Sequence, residues 1–259
     1  MPVPAPSNLQ VINKHQTFIP NMSSQQVSSS VIAILDRALR EVELEVEAQP
    51  YWKELTSPDT PKDTVLAIMR EVMLEIWSYQ KVVDQAVFTA VGRLGTEIEE
   101  QGLIRSMIAV QIEETGHGTL ALQDYVSLGG DRGWAMARRP SPQAQALIGI
   151  VRVLGEREHP LCHLGYMYFF ERFTTTMTEK VMPTLLRAGY PHERLEFMRL
   201  HAIEDVRHAD MLANVIAECE RRYENAAEVI AYGFDTFRVV YPHAVWQAAW
   251  HRATQTCKP

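Results

Sequence analysis

Proline placement constrains this chain more than any other feature. Of its 14 prolines, four fall between Met1 and Pro20, and none lies between Pro61 and Pro140 or between Pro191 and Pro242. Proline removes a backbone donor and clashes with the preceding turn, so long Pro-free stretches of mixed apolar and charged residues are suited to helices. Apolar positions recur at helical spacing through them. Val31, Ile34, Leu35, Ala38 and Leu39 make one face of a helix from Ser29 to the Pro50 break. A second helix opens with Thr60 as N-cap and Pro61 at its first position, and runs toward Gly92 and Gly95. A third runs from about Ile98 to Leu128 and closes at Gly129-Gly130. Four more cover Gln143–Glu156, Pro160–Ala188, His192–Arg222 and Asn225–Thr254. No segment alternates as a strand does. The expected fold is all-α, a single-domain bundle of about seven to eight helices over residues 29–259. Residues 1–28, rich in Pro, Ser, Asn and Gln without a helical period, are expected to form a flexible N-terminal arm.

Charge and cysteine content narrow the function classes. The net charge of −7 argues against a protein whose task is to grip a phosphate backbone. Cys162, Cys219 and Cys257 are scattered and form no CxxC pair, so neither a disulfide framework nor a zinc knuckle is expected. No apolar run reaches the roughly 18–20 residues that cross a bilayer, and no signal-peptide pattern opens the chain. The expectation is a cytoplasmic protein without nucleic-acid or membrane partners.

Three segments hold residues suited to chemistry. In His201-Ala-Ile-Glu-Asp205-Val-Arg-His208, residues 201, 205 and 208 fall within an arc of roughly 60° on a helix, which places two imidazoles and a carboxylate together. In Glu113-Glu114-Thr-Gly-His117, Glu114 and His117 have the Glu-x-x-His spacing by which helical bundles present ligands to paired iron or manganese ions. Gly116 and Gly118 flank that histidine. Each costs a helix interior about 1 kcal/mol against alanine, which points to a close approach at that place or to a local irregularity. Glu171 follows an apolar and aromatic run, where a carboxylate needs a cation, a metal or an ion pair with Arg172. Together these supply three carboxylates and three imidazoles without a thiolate, a set that suits two iron or manganese ions better than zinc. His163 is a further candidate to lean toward them.

Taken in order, Glu114-x-x-His117, Glu171 and His201-x-x-x-Asp205-x-x-His208 resemble the haem-oxygenase-like di-iron oxidases over roughly residues 45–215. Pro50-Tyr-Trp-Lys-Glu-Leu and the Trp77–Val83 stretch support the resemblance. The Glu–His spacing looks most like the branch containing the 1-undecene-forming fatty-acid decarboxylase. The resemblance implies a haem-oxygenase-like or thiaminase II-like fold and a centre of two Fe(II) ions, manganese being the other metal that suits the set. It implies that Glu114, His117 and His201 hold one ion, that Asp205 and His208 hold the other, and that Glu171 lies between. It further implies O2 as co-substrate and a small amino-acid or fatty-acid substrate that undergoes carbon–carbon cleavage, desaturation or N-oxygenation. No catalytic residue beyond the ligands is implied, and a homodimer is a possible assembly. Glu113 and Glu204 are the candidates for the extra carboxylate that N-oxygenating relatives carry, though neither has the spacing that requires it. Gly118, Thr174 and Thr175 are expected to leave room for substrate, with Tyr166, Tyr168, Phe169 and Phe170 along its channel. Two alternatives stay open. One is a ferritin-like di-iron N-oxygenase, which needs a further ligand among Glu71, Glu75 and Asp84. The other is a metal-free thiaminase-like or cofactor-biosynthesis enzyme of the same fold, which needs a cysteine nucleophile or a basic pocket.

Overall fold

A computed structural model describes residues 30–95, 101–190, 193 and 195–256; the expected N-terminal arm and Cys257 lie outside them. Among the described residues there are eleven helices and no strand. They are α1 (Ser30–Ala48), α2 (Pro50–Thr56), α3 (Lys62–Val91), α4 (Gln101–Glu114), α5 (His117–Ser127), α6 (Arg132–Ala137), α7 (Pro142–Glu156), α8 (Cys162–Arg187), α9 (Glu196–Arg222), α10 (Ala226–Arg238) and α11 (His243–Thr256).

The all-α bundle is as expected, but it is more finely divided. The stretch ending at Leu128 is two helices, because Gly116 takes φ 101° between them. Only glycine adopts that left-handed backbone without steric cost. The last stretch is also two helices. Pro242 ends one and opens the next, its carbonyl accepting the Trp246 N–H at 2.9 Å. Thr60 is not the cap of α3: its hydroxyl donates to the Glu54 carbonyl at 2.6 Å, and Pro61 holds the cap position with an extended backbone. The α9 helix begins at Glu196, later than the sequence pattern suggests, for a reason that lies on α5 and is given below.

Helix α3 is the axis of the bundle, packed against α5, α7 and α11, while α8 packs against α9 and α10. Two glycines set the α8–α10 crossing. A Cβ on Gly165 would strike the Ile230 carbonyl, and one on Gly233 would strike the Cys162 carbonyl. That crossing pulls α8 deep into the core, so that Tyr168, Phe169 and Phe173 are fully buried and Glu171 comes in with them.

Candidate metal centre

Glu114 ends α4 and His117 begins α5, so the Glu-x-x-His pair spans a break and does not sit on one helix. The left-handed turn at Gly116 still brings His117 Nδ1 to 2.9 Å from Glu114 Oε2. Gly118, one residue on, lets α5 press against α3: a Cβ there would sit 2.9 Å from Gln80 Cβ. Its smallness therefore serves helix packing and not the substrate.

The other two segments converge on the same carboxylate. His208 Nδ1 lies 3.0 Å from Glu114 Oε1 and 3.5 Å from Glu171 Oε2, and His201 Nε2 lies 3.7 Å from Glu114 Oε2. His201 and His117 meet edge to face with ring centroids 4.8 Å apart. The side chains fall into two groups whose ligand-type atoms lie within 4.8 Å of one another: Glu114, His117 and His201, then Glu114, Glu171, Asp205 and His208. All six residues singled out from the sequence are thus together. The member common to both groups is Glu114, where the resemblance placed Glu171. Glu171 is free of the Arg172 ion pair that would have explained it otherwise: Arg172 turns to the Tyr168 hydroxyl and to Asp210.

The tautomers are set from outside the groups. His201 Nδ1–H donates to the Phe197 carbonyl at 2.7 Å, which leaves Nε2 to face Glu114. His208 Nε2 lies 2.9 Å from Glu113 Oε2, with Arg207 paired to the same oxygen. Glu113, Glu204 and His208 form a third, more open group on that flank. Arg207 and His208 outweigh the effect of burial on Glu113 and hold its carboxyl low.

Electrostatics show what the site lacks. Asp205 is 1% exposed, and neither of its oxygens has a hydrogen-bond partner. Burial first, then the Glu171 and Glu114 charges, push its carboxyl far up. Burial and the neighbouring Glu114 likewise raise Glu171. Burial raises Glu114 too, but hydrogen bonds with His117, His201 and His208 prevail and hold it well below the usual range. Three inward carboxylates share too little positive charge, and an orphaned one lies among them. A cation relieves both defects, and N/O donors without sulfur fit iron.

Other expectations are redirected. Glu75 binds Ser141 and Arg252, each at 2.5 Å, and Glu71 pairs with Arg252 at 3.0 Å, so neither reaches the centre that the ferritin-like alternative requires. Asp84 accepts from Gln80 and Gln111 and joins none of the groups. His163 is fully buried with both nitrogens unpartnered, and it joins none of them either. Burial pushes the Cys162 thiol up to about 11 and Cys219 up to about 12, which disables both as nucleophiles. An apolar cavity is walled by Thr174, Met177, Phe197, Tyr241 and Trp246 among others, and it reaches the site through Phe197, whose ring lies 3.9 Å from that of His201. Tyr168 turns away to Asp36, and the Thr175 hydroxyl donates to the Glu171 carbonyl.

Sequence reasoning missed Asp124. Wholly buried on α5, it accepts the backbone N–H groups of Glu196 and Phe197 at 3.0 and 3.1 Å. It therefore caps α9 from another helix and determines where α9 starts. An unbroken i, i+7 relation to His117 was the only local signal of it.

Residues 70–238 match the model of a family described as iron-containing redox enzymes, under a haem-oxygenase heading. No curated protein matches the chain. Among solved structures, a domain of unknown function with a haem-oxygenase-like fold from Shewanella denitrificans superposes with a TM-score of 0.75 at 18% identity, covering 87% of this chain and 94% of that one. A TenA homologue from P. horikoshii superposes with a TM-score of 0.62 at 13% identity, covering 85% of this chain and 98% of that one. At such identities the likeness shows the fold. No helix among the described residues is long and apolar enough to cross a membrane.

Proposed function

This chain belongs to the family of iron-containing redox enzymes, and from that premise we propose that it is a non-haem di-iron oxidase using O2 on a small substrate with an apolar body. One observation carries the reading: the buried, unpartnered carboxylate of Asp205 within one group with Glu114, Glu171 and His208. Glu114, His117 and His201 would hold one iron, and Glu171, Asp205 and His208 with the shared Glu114 would hold the other. Iron bound there supplies the electrons that activate O2.

The chain's own groups do the rest. The Phe197 carbonyl keeps the proton of His201 on Nδ1. Glu113 accepts Nε2–H of His208, so that Nδ1 is the free nitrogen facing Glu114 and Glu171. Arg207 holds Glu113 in place and blunts its charge. Glu113 is thus assigned to orienting His208, and Glu204 stands beside it. Phe197 and Met177 give the cavity side an apolar wall, the kind of surface that an aliphatic or aromatic substrate body would meet. The Thr174 hydroxyl, buried and unpartnered, is the polar group there that can orient a substrate head. These features support the fatty-acid branch of the resemblance over a fully polar amino acid. The metal-free alternative is supported only by the TenA likeness, and the buried thiols oppose it.

Anaerobic Fe(II) loading with metal quantitation, then O2 exposure with a panel of fatty and amino acids, tests the reading. Two irons per chain and substrate-dependent O2 uptake are expected. A protein that takes up no iron refutes it.

A further inference from the structure

We propose that Tyr51 and His243 form the surface end of an electron inlet that reaches the carboxylate–histidine centre through Trp246 and Tyr241. The proposal rests on the di-iron reading above. Reducing O2 to two waters takes four electrons, and a two-electron oxidation of substrate supplies half of them. The remainder must enter from outside, yet the centre is buried.

The surface end is built for proton-coupled electron loss. Tyr51 is 3% exposed, and its hydroxyl lies 3.1 Å from His243 Nδ1. His243 Nε2 faces Glu45 at 3.5 Å, so the ring proton belongs on Nε2 and Nδ1 is the acceptor for the Tyr51 O–H. The His243 side chain is 30% exposed, which opens this end to a reductant. Burial holds the Tyr51 phenol far above its ordinary value. An electron leaving Tyr51 without proton transfer would strand a cation in a dry environment, and His243 removes that obstacle.

Inward, the rings are continuous. Trp246 lies 6.3 Å from Tyr51 between centroids, and Trp52 stacks on the same indole at 5.7 Å. Phe173 bridges Trp246 at 6.1 Å and Tyr241 at 5.9 Å. Tyr241 and Trp246 wall the same cavity as Phe197, whose ring lies 3.9 Å from that of His201 in the centre. The redox-active side chains therefore run from a half-buried histidine to the wall of the cavity that Phe197 shares with the centre.

Each cycle balances. Tyr51 gives one electron, by way of Trp246 and Tyr241, to the iron centre oxidised by O2, and its phenolic proton passes to His243 Nδ1. A one-electron reductant of the thiol or ascorbate class, meeting the His243 face, returns an electron to the phenoxyl oxygen, and the proton moves back from His243. Two cycles supply the missing electron pair, and the two protons that the thiol or ascorbate donor releases to solvent match the two that solvent delivers to complete the second water.

The test is freeze-quench EPR of the Fe(II)-loaded full chain mixed with O2, without substrate or added reductant, with iron content and iron oxidation followed in parallel. The wild type is expected to give a tyrosyl radical hydrogen-bonded to a nitrogen, which ascorbate quenches. Tyr51→Phe, which keeps the ring, is expected to lose that signal while binding the same iron. His243→Gln, which keeps Tyr51, is expected to lower its yield several-fold. Iron that oxidises with no protein radical, or a radical equal in both variants and wild type, overturns the inlet and leaves the di-iron reading standing. Absent iron binding, or iron inert to O2, overturns both.

Discussion

The Asp124 carboxylate accepts the backbone N–H of Phe197 at 3.1 Å, and the carbonyl of that same Phe197 accepts His201 Nδ1–H at 2.7 Å. A side chain on α5 thus orients an imidazole on α9 through one intervening residue, whose ring also lies against the imidazole at 3.9 Å. Asp124→Ala should cost about 1–2 kcal/mol as a lost helix cap, read from urea denaturation. It should also weaken iron binding through His201. Unchanged iron affinity in a folded variant would contradict the link.

Asp124 also gives the stability a pH dependence. Burial raises its carboxyl from 3.8 to about 7, against the opposing backbone hydrogen bonds. The folded state then binds a proton more tightly than the unfolded state, so this residue's contribution is present at low pH and is lost as pH rises from about 4 through about 7. Asp124→Asn should flatten that segment of the stability curve relative to wild type. Denaturation at several pH values compares the two slopes.

Asp205→Asn separates metal binding from folding. Replacing a buried, unpartnered carboxyl that faces two others with an amide of nearly the same shape should leave the metal-free melting temperature equal or higher. Iron, which raises the melting temperature of the wild type by binding the folded state, should no longer do so. Calorimetry with and without Fe(II) reads both effects.

The glycines around His117 have different tasks, and substitutions should show it. Gly116→Ala forces a side chain into a left-handed backbone at a cost of about 1–2 kcal/mol, and should displace His117 from Glu114. Gly118→Ala has an ordinary helical backbone but meets Gln80 at 2.9 Å. Overpacking of about 1–3 kcal/mol should outweigh its helix preference. Alanine at residue 118 that stabilises the protein would show the α3–α5 contact to be loose.

Glu75→Gln tests the ferritin-like ligand requirement. Its iron content should equal that of the wild type, because Glu75 lies with Arg252 and Ser141 away from the centre. Arg252→Ala should destabilise by up to about 3–5 kcal/mol, since it leaves the fully buried Glu75 with only the Ser141 hydroxyl and the more distant Arg138 at 3.7 Å.

Local pattern carried much of this protein. The spacing of His201, Asp205 and His208 places them on one arc of any helix, and that arc is buried. The aromatic run before Glu171 marks it as an inward carboxylate. Periodicity also located the helical stretches but overran Gly116, because a left-handed glycine and a helical one look alike in a sequence. Thr60 has the chemistry of an N-cap, but the Glu54 carbonyl competes for its hydroxyl.

Residue types and spacing by themselves determined the all-helical class and pointed to six side chains that meet in the fold, since each depends on bonds and turns within a few residues. Only the tertiary structure decided that Glu114 is the shared carboxylate, that Glu75 pairs with Ser141 and Arg252, that Asp124 starts α9 and that Tyr51 meets His243. Those relations join residues between 66 and 192 positions apart, except for the carboxylates and imidazoles that Glu114 gathers from three segments. Their partners are chosen by burial and electrostatics after the helices have packed, and no periodicity records that choice.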